Sequence, residues 1–188
     1  MNNKQIKMMT QGAMLVALFG VLGIMNMYTG SLFDVLLAYV MVVILVYYTF
    51  IYDYQAGLMV LLAAFIVLFL VGQMFFTFYT TFTLTMGVFY GYCLKHQKSY
   101  RFGKYGLMVI SAIKNFLVFF ILGGLVGINL FTEGMEMYQA LIGLLPFLKG
   151  ILNPMVMLGV LWILLFICEG YIVRVYSNLL IVKMMKRK

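Results

Sequence analysis

No charged residue interrupts the chain between Asp53 and Lys95, and Asp34 alone does so between Lys7 and Asp53. Segments of this length and polarity constrain a fold severely. A helix crossing a bilayer needs about 20 mostly apolar residues, and inside lipid it satisfies its own backbone hydrogen bonds. A small soluble core has no use for so much uninterrupted apolar chain. Composition agrees: 65% of the 188 residues are hydrophobic and 10% charged, with a mean hydropathy of +1.08. Soluble domains sit nearer half apolar and a quarter charged. The sequence therefore predicts an all-α integral membrane protein, with residues 1–188 forming one membrane domain. A soluble ATPase, a soluble sensor or a large ectodomain finds no room in it.

The net charge of +8 has a topological explanation, and nucleic-acid binding is not needed to account for it. Basic residues gather at Lys4 and Lys7, from Lys95 to Lys104, and from Lys183 to Lys188. Such clusters flanking apolar spans mark the cytoplasmic side. Six spans are expected, near 8–26, 33–52, 55–73, 75–94, 105–130 and 150–182. With the amino-terminal lysines inside, all three basic clusters fall on one side, both termini are cytoplasmic, and the acidic TEGMEMY lies outside. The first span is read as uncleaved, because no small-x-small site follows it. Residues 140–149, ALIGLLPFLK, are too short to span and are broken by Pro146. They suggest either a half-inserted lid on the outer face or a kinked start to the last helix. No inverted repeat of the secondary-transporter type is visible.

Polar residues inside spans are costly and therefore informative. Thr77, Thr80, Thr81 and Thr85 share one arc of the fourth span, with Gly87 and Gly91 beside it. Threonine hydroxyls bond back to helix carbonyls or across helices, so this arc is either helix glue or a polar cavity wall. The fifth span sets Ser111, Lys114, Asn115 and Asn129 on one side and Gly123 and Gly127 on the other. A lysine deep in a span costs about 2.5–3.5 kcal/mol on insertion scales unless it is paired or snorkels. Glu169, aligned with Trp162 and Tyr176 in the last span, is the expected partner at matching depth, and Arg174 offers Glu169 another. Lys114 and Glu169 are thus an expected intramembrane ion pair, structural or in contact with ligand. The outer connections add Asn26, Tyr28 and Asp34; Gln73, Phe76 and Tyr79; and Glu133, Glu136, Tyr138 and Asn153. Interfacial aromatics commonly anchor a span, but aromatics with amides on one side of a bundle also suit a pocket for a flat polar molecule. The candidate ligand set is Asn26, Tyr28, Gln73, Phe76, Tyr79, Thr80, Asn115, Asn129, Glu133, Tyr138, Asn153 and Trp162.

Catalytic chemistry finds little support. His96 is the one histidine, no HExxH occurs, and no nucleophile sits with a base at a useful spacing. Cys93 and Cys168 lie in apolar segments without metal or redox spacing, and no cofactor is expected. Met-x-Met at 25–27, 135–137 and 155–157 offers soft thioethers of the kind that select copper(I), a competing reading.

The first span carries small residues at Gly12, Ala13, Ala17, Gly20 and Gly23. At ~100° per residue, Ala13, Ala17 and Gly20 fall on one narrow face, which invites close approach by another helix. Ala13-Met14-Leu15-Val16-Ala17, after a basic amino terminus, matches the Ala-x-x-x-Ala motif of the substrate-binding S components of energy-coupling factor transporters. The six-span layout and the polar outer connections resemble that family over the whole chain. The resemblance implies a multi-pass protein of the cytoplasmic membrane of a Gram-positive bacterium that binds a vitamin near the outer surface. It implies a transmembrane coupling subunit, docked on the first helix, and two cytoplasmic ATPase subunits as partners. The overall look favours a ligand of the hydroxymethylpyrimidine or pyridoxine type, with riboflavin, folate, thiamin and pantothenate also open, and the absence of an amino-terminal histidine motif argues against nickel or cobalt. A membrane scaffold or assembly protein without a ligand is the alternative from another class.

Overall fold

The structure is a computed structural model that describes residues 2–71, 74–118, 124, 130–144 and 154–186. Its helices are α1 (Asn3–Tyr28), α2 (Asp34–Tyr52), α3 (Tyr54–Val71), α4 (Met74–Lys95), α5 (Tyr100–Phe116), α6 (Leu130–Leu144) and α7 (Pro154–Met185). By length and composition α1, α2, α3 and residues 159–185 of α7 are able to cross a membrane. The threonines that give α4 its character also lower its hydropathy. Ser99 caps α5, accepting from the Phe102 amide, and Pro154 occupies the first position of α7, where its missing N–H costs nothing.

The fifth span is expected over 105–130; α5 starts earlier, at Tyr100, and runs in α turns to Phe116 with a wider turn at 117–118, while 119–123 and 125–129 lie outside the described residues. Of the expected lid or kinked segment at 140–149, residues 140–144 are the last turns of α6, which begins at Leu130, and 145–149 lie outside the described residues. Glu, Met, Gln, Ala and Leu crowd that stretch and are strong helix formers, so the acidic connection is helical.

The centre of the bundle is the parallel pair α2 and α4, in which Gly87 lies against Val42 and Gly91 against Val46. α3 and α7 pack on α2, α5 packs on α4 and α7, and α1 lies mainly on α3. Met41, Val42, Leu45, Val46, Leu84 and Met86 are fully buried between these helices. Glycines set the closest approaches. A Cβ at Gly91 would lie 2.8 Å from the Val46 carbonyl oxygen and 2.6 Å from Thr49 Cβ. A Cβ on Gly57 of α3 would have the Thr49 side chain as its nearest neighbour, Oγ1 first and then Cγ2 at 3.2 Å. Thr49 is thus a wedge between three helices, and its buried hydroxyl has no hydrogen-bond partner.

These contacts separate two superficially similar substitutions. Gly57→Ala and Gly91→Ala should each cost about 1–3 kcal/mol by overpacking. Thr49→Ala removes the atoms that crowd Gly57 and sacrifices no hydrogen bond, so it should restore Gly57→Ala. It leaves both the Val46 carbonyl and its own Cβ against Gly91 and should not restore Gly91→Ala. Unfolding of the four variants in micelles checks this; equal rescue of both would show the backbone contact to be unimportant.

Candidate functional site

Packing of α5 against α7 brings the costliest residues together. Ser111, Lys114 and Asn115 lie on one buried face of α5, at i, i+3 and i+4. The buried side of α7 runs through Glu169, Val173, Ser177 and Ile181 at helical spacing. Lys114 Nζ donates to Glu169 Oε1 at 2.5 Å, and Asn115 Nδ2 donates to Oε2 at 2.9 Å. Ser111 Oγ donates to the same Oε2, and Asn115 also reaches the Ser111 carbonyl. Lys114 and Glu169 are 2% and 6% exposed, so this ion pair is withdrawn from solvent, and each charge depends on the other.

Aromatic rings complete the surroundings. Lys114 Nζ is 4.7 Å from the Tyr79 ring centroid of α4 and 5.8 Å from that of Tyr39 of α2, the arrangement of a cation between π faces. The Tyr39 hydroxyl comes near Glu169 and Tyr79 yet meets neither in hydrogen-bond geometry. Four helices thus supply one enclosed polar centre. Tyr39 and Tyr79 each lie five residues from the start of their helices, about 7.5 Å in depth, whereas Lys114 lies about 21 Å along α5. The centre therefore sits nearer the end of the bundle that holds the α1–α2 and α3–α4 connections.

The expected Lys114–Glu169 pair is present, with Asn115 and Tyr79 at it. Thr80 is buried close by in sequence, and its hydroxyl lacks a partner. Thr81, Thr83 and Thr85 instead donate to the carbonyls of Thr77, Tyr79 and Phe82, which is the helix-glue behaviour. Asn26 is fully buried and donates to Asp34 at 2.5 Å, tying α1 to α2. Phe76 is a core residue packed towards Gly23 of α1. Tyr138 is buried, Trp162 is half-buried against Phe166, and Tyr28 is 81% exposed. Gln73, Asn129 and Asn153 lie outside the described residues, as does the side chain of Glu133.

Three placements correct the sequence reading. Tyr176 is exposed, so it does not share the Glu169 face; heptad spacing drifts by about 20° per step on a straight helix. Arg174 does not approach Glu169. It donates to the Tyr100 hydroxyl and stacks on Tyr100 and Tyr171. Gly20 does not belong with Ala13 and Ala17: it is buried against Val67, together with Gly12 and Gly23 on the face that packs inward, whereas both alanines are exposed. Sequence reasoning missed Tyr39, one tyrosine in an apolar run with nothing local to single it out.

A second polar knot holds the opposite end. Asp53, with φ of 97°, closes α2 and accepts from the Tyr54 amide at 2.7 Å, with Lys95 at 3.1 Å and His96 at 3.3 Å. The Tyr54 amide first, and then Lys95 and His96, hold its carboxyl at about 2, against the opposing effect of burial. Among the described residues no group of three His, Cys, Asp or Glu side chains gathers as a metal site. Met25 and Met27 are both exposed on α1.

The sequence model of one family, described as Predicted membrane protein (DUF2232), matches residues 17–145. No curated protein and no solved structure matches the chain.

Proposed function

The chain belongs to the DUF2232 family of predicted membrane proteins, and we propose that it is the substrate-binding membrane subunit of an energy-coupling factor type importer. In this reading six helices cross the cytoplasmic membrane of a Gram-positive bacterium, with both termini inside. The α1–α2 and α3–α4 connections face outward. The ligand is a small vitamin or vitamin precursor of the hydroxymethylpyrimidine or pyridoxine type, captured near the outer surface. Reorientation driven by a coupling subunit and two ATPase subunits delivers it.

One observation carries the reading: Lys114, Glu169, Asn115, Tyr39 and Tyr79 converge from four helices on an enclosed centre that leaves the Tyr39 hydroxyl without a bond. Buried hydroxyls are ordinarily paired. A flat heterocycle with ring nitrogens and a hydroxymethyl group suits stacking on tyrosine and bonding to Lys114, Asn115 and Tyr39. The exposed Ala13 and Ala17 support a docking face for the coupling subunit.

Thermal unfolding of the purified chain against a panel of vitamins and precursors tests the proposal. A ligand at a thousand times its Kd should add about 4 kcal/mol of stability, and Tyr39→Phe should weaken that ligand. A panel without a single stabilising compound would favour the scaffold reading, in which the pair only fastens α5 to α7.

A further inference from the structure

Between α3 and α4 runs a groove of about 440 Å³, separate from the polar centre. Tyr54, Leu58 and Leu61 form one wall, at i, i+4 and i+7 of α3. Val88, Phe89 and Tyr92 form the other, at i, i+1 and i+4 of α4. The hydroxyl at its deep end, on Thr85, is already given to the Phe82 carbonyl, so the groove offers no free polar group there. It extends about 10 Å along the helices and opens sideways, with Tyr54 and Leu58 42% and 44% exposed. Its mouth has a different chemistry. Tyr54 and Tyr92 meet edge to face with ring centroids 5.8 Å apart, and Lys98 Nζ stands 6.0 Å from the Tyr92 ring centroid. Asp53, the acid at this end, is engaged by Lys95 and His96. Lys98 has no carboxylate partner among the described residues.

We propose that this groove binds one anionic phospholipid of the cytoplasmic leaflet, with an acyl chain between α3 and α4 and the headgroup phosphate at Lys98. The leaflet assignment rests on the orientation proposed above. An apolar slot of this length matches the upper part of an acyl chain in a leaflet about 15 Å deep. A cation unpaired at its mouth selects a headgroup with net negative charge over a zwitterionic one. The tyrosine pair occupies the level between chain and headgroup where amphipathic rings settle. A soluble apolar ligand would have no use for the lysine, and a second protein helix would leave the charge at the mouth unanswered.

Brominated lipids provide the test. In a Trp162→Phe background, Leu62→Trp sets a fluorophore on the exposed side of α3, one turn beyond Leu58. The full chain is placed in nanodiscs carrying brominated phosphatidylglycerol or brominated phosphatidylcholine, and quenching gives the relative affinity. Phosphatidylglycerol should be preferred about five-fold at this site, and Lys98→Gln should bring the ratio near one. Met14→Trp, on exposed α1, should report little preference in either background. A ratio near one at Leu62→Trp in the parent overturns the site. A preference that survives Lys98→Gln overturns the headgroup assignment. Labelling of Lys98→Cys by an impermeant thiol reagent from the outside overturns the leaflet, and with it the proposed orientation, whatever the lipid ratio. Vitamin binding is read separately, so loss of one conclusion does not carry the other with it.

Discussion

Lys114→Met should destabilise the protein by about 3–5 kcal/mol, the usual consequence of leaving one charge of a buried pair alone. In a protein whose whole stability is of order 5–15 kcal/mol, that loss shifts the folding equilibrium by roughly two to four orders of magnitude. Glu169 would keep bonds from Ser111 and Asn115, but dipoles do not replace a cation at 2.5 Å. Glu169→Gln should cost a comparable amount, because Lys114 would remain charged between two tyrosine rings. The informative variant combines them. Lys114→Met with Glu169→Gln removes both charges and keeps an amide oxygen for Asn115 and Ser111, so most of the lost stability should return. Denaturant unfolding of the three variants in one micelle system measures the coupling, and strictly additive losses would show that the two charges act independently. The combined variant also parts the structural role from the ligand role. A fold-only pair predicts a stable protein with unchanged ligand binding; a pair in contact with ligand predicts a stable protein that no longer binds.

That this pair was legible in the sequence follows from the price of charge in lipid. A lysine and a glutamate at matching depth have few alternatives to each other, so their meeting follows from position alone. The helices α1 to α4 were legible for a related reason: Asp34, Asp53 and Lys95 punctuate apolar runs of membrane length. Where the pattern carries less information, the reading failed. α5 carries Arg101, Lys104 and Lys114 among its apolar residues, with Ser111 and Asn115 beside them, so hydropathy marks its ends poorly. α6 carries its acids within helix-forming residues, and charge alone suggested a loop. Tyr39 acquires its role only from what α5 and α7 bring beside it, a long-range fact without a local signature. Gly20 was misplaced because a helical wheel gives angles between residues and not the direction of the bundle. The exposure of Ala13 and Ala17 beside the buried Gly12, Gly20 and Gly23 supplies that direction.

On the proposed importer role, Ala17→Leu should abolish transport while leaving the isolated protein folded and able to bind ligand. The position is exposed, so a larger side chain meets lipid in the isolated subunit, and surface changes of this kind usually stay within about 0.5 kcal/mol. Against a coupling helix the same side chain would hold two backbones apart at a place where small residues permit contact. Ala17→Gly, which keeps the surface flat, should transport normally. Gly20→Ala provides the contrast one turn away: its Cβ would lie 2.7 Å from Val67 Cγ1, inside the molecule, so it should lower stability first and transport only in consequence. Uptake by cells expressing the complete transporter, set beside ligand-induced stabilisation of each purified variant, separates the cases. Undiminished uptake by Ala17→Leu would remove the docking face from the proposal, and a loss of stability equal to that of Gly20→Ala would mean that α1 packs by both faces within this chain.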